Sequence, residues 1–241
     1  QKVWAGEGVT PVVLVHTDWT WSDTDKYLGI KGGKARSSHA HMDAGSFVYD
    51  AYGVRWSMDI GRQDYATLEV ALKALGGNLW TYTQASLRWE VSRLNNFFHS
   101  TLTVNDAKHR VEGFATLEQT INTATEQGGT FDLSPVLEDQ VASAMRTVKI
   151  VYQTVSEGDD IGEATIRIDA IRTRTDRSAK IRWTMVTPAA PAVENDRIVL
   201  TSNGKTMYLT AAEEGGTQIV YKTFSTDPVH SYDDPNPGIY L

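Results

Sequence analysis

The chain contains no cysteine, so disulfides and thiolate metal sites are excluded, and any metal must be held by nitrogen and oxygen donors. It also lacks a run of eighteen apolar residues, so no stretch reads as a membrane-spanning helix. Its first residue is Gln, and no basic segment leads into an apolar one, as a signal peptide would require; a processed or excised fragment is the expectation. Positive charge is in short supply: Lys and Arg number 23 against 30 Asp and Glu, a net charge of -7 that argues against a general nucleic-acid or polyanion surface. Neither a phosphate-binding glycine loop nor a GxSxG nucleophile elbow is present, and no internal repeat is found.

What is present is strand chemistry. With 241 residues, 41% of them hydrophobic, the chain can bury a sizeable core, as one large sandwich or two smaller units. Val12–His16 and Tyr27–Lys31 are β-branched or aromatic runs, and residues 47–50 and 54–59 read as the arms of a hairpin turning at Gly53. Further strands are expected at 86–90, 100–104, 144–152, 161–175, 181–186, 197–201, 206–210 and 218–222, with Asn203-Gly204 as a hairpin turn. Residues 113–140 suggest loops and short strands, and Pro188 to Pro191 a short loop. Leu68, Leu72 and Leu75 recur at helical spacing and predict one helix over 65–78, stopped by Gly76-Gly77. The fold class is therefore all-β: a large antiparallel β-sandwich with one prominent helix, spanning 1–241 as a single unit.

Chemistry concentrates between Lys31 and Gly61. If residues 39–41 are extended, His39 and His41 project to the same side. Folding the hairpin back brings Asp59 towards Gly45, and His99 opens a later strand; His41, Asp59 and His99 then form a set suited to zinc or a similar divalent ion. Asp43 reads as a turn residue and stays outside that set, His16 reads as structural and His109 as exposed. Lys31, Lys34 and Arg36 make a local positive patch in an acidic chain, of the kind a uronate or sulfate group seeks. The arginines at 167, 172, 174, 177 and 182 read as a solvated strand face.

The segment SSHAHMDAGSFVYDAYGVRWSMDIGRQDY (37–65), followed by RLNNFFHSTLTVNDAKHRVEG (93–113), resembles the heparinase II/III-like family of bacterial polysaccharide lyases. The resemblance covers roughly residues 28 to 115, with several motifs in the family's order; one departure is Ser100 where the family often has Asn, with Asn95 and Asn96 close by. It implies a β-sandwich that normally follows an N-terminal helical toroid, with the active site in the cleft between them. That helical domain and its catalytic tyrosine are not in this chain. Carried over, His39 resembles the family's catalytic histidine, and His41, Asp59 and His99 its metal ligands, usually zinc, with the metal bracing the site. The implied activity is β-elimination on an acidic, uronic-acid polysaccharide, with a periplasmic or secreted location and little or no activity in this chain alone. Two other classes fit parts of the sequence: a cupin-like metal enzyme, and a carbohydrate-binding sandwich with Trp19, Trp21 or Trp56 as the platform.

Overall fold

The structure is a computed structural model, and it describes residues 2–152, 164–212 and 218–241. Five antiparallel strands in sequence order make the first sheet: β1 (Val3–Gly6), β2 (Val12–His16), β3 (Tyr27–Lys31), β4 (Phe47–Ala51) and β5 (Val54–Ser57). Burial follows the strand period, with Val13, Val15, Leu28, Ile30, Phe47 and Tyr49 facing the core while Val12, Leu14, Val48 and Asp50 between them are only half-buried. At the hairpin tip Tyr52 (φ 55°) and Gly53 (φ 70°) are both left-handed, the turn that matches strand twist. Helix α1 (Tyr65–Ala74) follows, and β6 (Leu102–Val104) comes after a run of short 3-10 turns. Four more antiparallel strands form the second large sheet: β7 (Thr116–Asn122), β8 (Glu126–Asp132), β9 (Ser143–Val151) and β10 (Ala164–Arg172), in the order β10-β9-β8-β7. Strand β11 (Ile181–Trp183) pairs with β6, and β12 (Ala190–Val193), β13 (Ile198–Ser202) and β14 (Lys205–Leu209) form a small meander.

The two large sheets pack face to face. Val13, Val15, Leu28 and Ile30 from the first meet Phe131, Ala144, Val148 and Ile150 from the second in one continuous core. A second core lies beside the sandwich, where Leu68 and Leu72 of α1 bury against Ala35, Met42, Leu79, Trp89, Val91, Leu94 and Val111. Asp64 caps α1 by accepting from the Thr67 N–H, and Gly76 (φ 78°) ends it, with Gly77 N–H bonded to Leu72 O and Gly76 N–H to Lys73 O. The loop between β3 and β4 crosses from one core to the other, placing Ala35 and Met42 in the second and Ala44 and Phe47 in the first. Both histidines of the 39–41 segment ride on that crossing.

The all-β sandwich with one helix is as expected, and several local expectations are overturned. Residues 86–90 are a 3-10 turn and not a strand, because Ser86 caps it and Arg88 and Trp89 both turn inward. Residues 113–140 hold two full strands, β7 and β8; the glycines that suggested loops let the sheets approach, since a Cβ on Gly129 would lie 2.8 Å from Val13 Cγ2. Pro191 falls within the edge strand β12, and residues 218–222 form no strand. The strand expected over 161–175 is β10; residues 161–163 lie outside the described residues, and so does the Arg167 side chain. Among the described residues no helix is long and apolar enough to cross a membrane.

Candidate functional site

The turn that carries His39 is closed by the Ala40 N–H bonding to Ser37 O at 3.0 Å. His39 sits in it with φ 62°, exposed, so residues 39–41 are not extended and the same-face argument for the two imidazoles is overturned. The left-handed residue sends them apart. His39 lies against Tyr65 (centroids 5.6 Å, near-parallel) and Trp80 (5.2 Å, edge-on), and its N–H donates to Tyr82 Oη at 3.1 Å. Behind it Arg88, fully buried, donates to Ala40 O at 2.8 Å and to Leu79 O at 3.0 Å, fixing the turn to the second core.

His41 turns inward. Its ring centroid is 5.4 Å from that of His99, and burial, helped by the positive character of His99, pushes its pKa down to about 4. His99 is wholly buried, with Nδ1 2.8 Å from Asp59 Oδ2 and Nε2 3.0 Å from Arg93 O. Burial alone would raise the Asp59 carboxyl, yet the His99 imidazole, its hydrogen bond and the Gly61 N–H at 2.6 Å hold it well below the usual carboxylate range. For His99 burial pulls the other way as well, and Asp59 wins, leaving its pKa raised.

This geometry allows a test of metal fit. A carbonyl only accepts, so Nε2 of His99 carries a proton and donates to Arg93 O. In a neutral ring Nδ1 then presents its lone pair to a carboxylate. Two acceptors cannot face each other at 2.8 Å unless a proton or a cation lies between them. At 2.8 Å the pair is spaced as a proton-bridged one; tetrahedral zinc, with ligand bonds of about 2.0–2.1 Å, holds adjacent donors about 3.3 Å apart, so the two groups would have to part by about 0.5 Å to take it. The backbone carbonyl on the far nitrogen is also the usual orienting contact of a metal-bound histidine. The donor chemistry fits, although among the described residues no three His, Asp or Glu side chains already stand at metal-holding distances; His41 must swing towards the pair.

The basic patch divides into three situations. Lys31 is committed to Asp43, its Nζ within 2.6 and 2.7 Å of the two carboxylate oxygens, so Asp43 does more than shape a turn. Arg36 is exposed and pairs with the equally exposed Glu112, and Lys34 is half-buried. Asn95 and Asn96 are buried and spent inside the fold: Asn95 on Trp89 O and Val91 O, Asn96 on Thr103 and the His109 N–H. His109, expected to be exposed, is buried with Nε2 2.8 Å from Leu102 O, because residues 107–111 fold back under the strand they leave. His16 is structural as expected, 2.7 Å from Asp25. Trp56 is buried and offers no platform, whereas Trp19 and Trp21 are exposed beside His16, at the end of β3 away from Lys31. Arg182 is not on a solvated face; its guanidinium packs on Phe97 and Phe224. Sequence reasoning missed Tyr65, Trp80, Tyr82 and Arg88 around His39; the Trp80-Thr81-Tyr82 cluster was the available signal.

A sequence profile described as heparinase II/III-like, C-terminal, matches residues 13–230. This chain belongs to that family. Among solved structures, the heparan sulfate lyase HepC from Pedobacter heparinus is 12% identical, with a TM-score of 0.42 over 86% of this chain and 42% of that one. A heparinase III structure gives 12% identity and a TM-score of 0.42, covering 82% and 41%. The family member described here thus spans about two fifths of the length of the solved structures it matches. No significant match was found among curated proteins.

Proposed function

We propose that this chain is the β-sandwich half of a polysaccharide lyase that cleaves an acidic, uronic-acid-containing polysaccharide by β-elimination. The observation that carries the reading is the division of labour between two histidines of one turn: His39 is held exposed in an aromatic and cationic setting, while His41 is half-buried beside the His99–Asp59 pair. Membership of the heparinase II/III-like family agrees with it.

Such a reaction removes the proton from C5 of the uronate, spreads the resulting charge into the carboxylate, and expels the glycosidic oxygen from C4. Neutralising the carboxylate is the demanding part, because the C5 proton is otherwise too weak an acid for a side-chain base. His39 takes or gives the proton, its ring set by Tyr65 and Trp80 and its backbone by Tyr82. Arg36 and Lys34 face the anionic groups; Lys31, already bound to Asp43, stabilises the loop. His41, Asp59 and His99 are the residues that would hold a divalent cation, zinc by donor chemistry, which when bound locks the β3–β4 loop to the segment after β5 and to β6. An N-terminal helical domain covering the site supplies the remaining proton-transfer group, so this chain alone has little or no turnover. A periplasmic or secreted setting goes with such a substrate.

Two measurements test this. Elemental analysis is expected to find about one equivalent of zinc per chain, lost in Asp59→Ala. Absorbance of the unsaturated uronate product is expected to stay flat with the chain alone; rapid turnover would overturn the two-domain requirement. A non-catalytic carbohydrate-binding reading is favoured by one feature, the exposure of Trp19 and Trp21. Glycan binding that survives both His39→Ala and metal removal would select it.

A further inference from the structure

A groove of about 500 Å³ opens beside His39, lined by Arg36, Ser37, Ser38, Trp80, Tyr82 and Thr83. Its volume lies within the range of small-ligand sites. One wall is aromatic: Trp80 is 38% exposed, with its indole N–H anchored on Glu69 Oε1 at 2.6 Å, so the ring is held in place. Ser37 and Ser38, on the turn that presents His39, line it as well.

Two guanidiniums give the groove its charge preference. Arg36 lies on its rim, paired with Glu112 in a contact where both side chains are more than half exposed, so an incoming anion can replace that partner at little cost. Arg88 lies beneath, wholly buried, over the rings of Tyr82 (4.7 Å) and Trp80 (6.0 Å). Its terminal nitrogens bond to carbonyls, its Nε has no partner, and among the described residues no carboxylate pairs with it. A buried cation without a counter-charge is costly in the empty protein, and an anion bound nearby reduces that cost. The groove is thus aromatic for a ring face, hydroxylic for ring substituents and cationic for one acidic group.

We infer that this groove is a subsite for a single acidic pyranose, stacked on Trp80 with its carboxylate or sulfate against Arg36, and that it seats the sugar next to the one His39 acts on. The inference rests on the lyase reading and adds to it the residues that choose the neighbouring sugar. Trp80 and Arg36 set occupancy here, and Arg88 biases the groove towards anions without touching the sugar.

The test is binding of size-defined tetrasaccharides from heparan sulfate and from polymannuronate, by calorimetry and by the indole N–H signal of Trp80, to the 241-residue chain. Expected are a shifted Trp80 signal, about tenfold weaker binding in Trp80→Ala, partial recovery in Trp80→Phe, and weaker binding with a flatter salt dependence in Arg36→Gln. Both positions are exposed, so unchanged unfolding midpoints separate binding from stability. Wild-type binding that both variants retain within about twofold overturns the subsite and leaves the lyase reading standing. Equal affinity for an uncharged tetrasaccharide such as cellotetraose overturns the acidic preference. Failure of the wild type to bind either acidic probe overturns the subsite together with the substrate class proposed above.

Discussion

Replacing Arg146 by Ala is expected to be among the most damaging single changes outside the hydrophobic core. Its guanidinium has no solvent exposure and lies where the second sheet meets the candidate site. Across the β9–β10 pair it donates to both oxygens of Asp169, at 2.7 and 3.3 Å, and from another nitrogen to Gly45 O at 2.8 Å and Ser100 O at 3.2 Å. Truncation takes both guanidinium bonds from Asp169, a carboxylate only 10% exposed, a loss of about 3–5 kcal/mol. Two carbonyls are orphaned as well, and these costs overlap. Replacing both partners with apolar side chains, Arg146→Met with Asp169→Leu, removes the poorly solvated carboxylate but not the orphaned carbonyls, so about 1–3 kcal/mol should remain lost. Urea unfolding followed by tryptophan fluorescence and far-ultraviolet circular dichroism is the assay, and coincident transitions are required before free energies are compared. The expected order of stability is wild type, then the double variant, then Arg146→Ala. A single variant within about 1 kcal/mol of wild type, or a double variant less stable than the single, would refute the reasoning.

Acid sensitivity should be traceable to His109, whose pKa burial pushes down to about 4. An unfolded histidine near 6.5 takes up a proton that the folded one refuses, so its contribution is intact above pH ~6.5 and falls by about 3 kcal/mol as the pH drops towards 4. Urea midpoints measured across that window should fall steeply in wild type and less steeply in His109→Gln; equal slopes would remove His109 as the cause. Gly113→Ala should destabilise by about 1–3 kcal/mol, because its Cβ would lie 2.2 Å from the Pro135 carbonyl oxygen; an unchanged thermal midpoint would show that the backbone there can move. The zinc stoichiometry expected for wild type and Asp59→Ala has a structural counterpart: the metal-free Asp59→Ala protein should show faster amide exchange at residues 99–101, since His99 loses its Nδ1 partner.

The sandwich class, apolar strands such as β2 and β3, and the helix with its glycine stop were legible in the order of residues. These are local signals, and one residue's neighbours in the chain are enough to set them. The sequence also selected His41, Asp59 and His99, which the tertiary structure does draw into one neighbourhood, 40 residues separating the His99–Asp59 contact. What the fold alone decided is how those side chains face. A single left-handed residue at position 39 sends His39 outward and His41 inward, and nothing in the order of residue types specifies that φ. The aromatic wall of Tyr65, Trp80 and Tyr82 was only half visible, as the Trp80-Thr81-Tyr82 cluster, for a related reason: it is assembled from a helix start and a loop that meet because Leu68, Leu72, Leu79 and Trp89 share a core. His109 makes the same point from the other side, since a polar residue after a turn looks solvated until the chain folds back and closes over it.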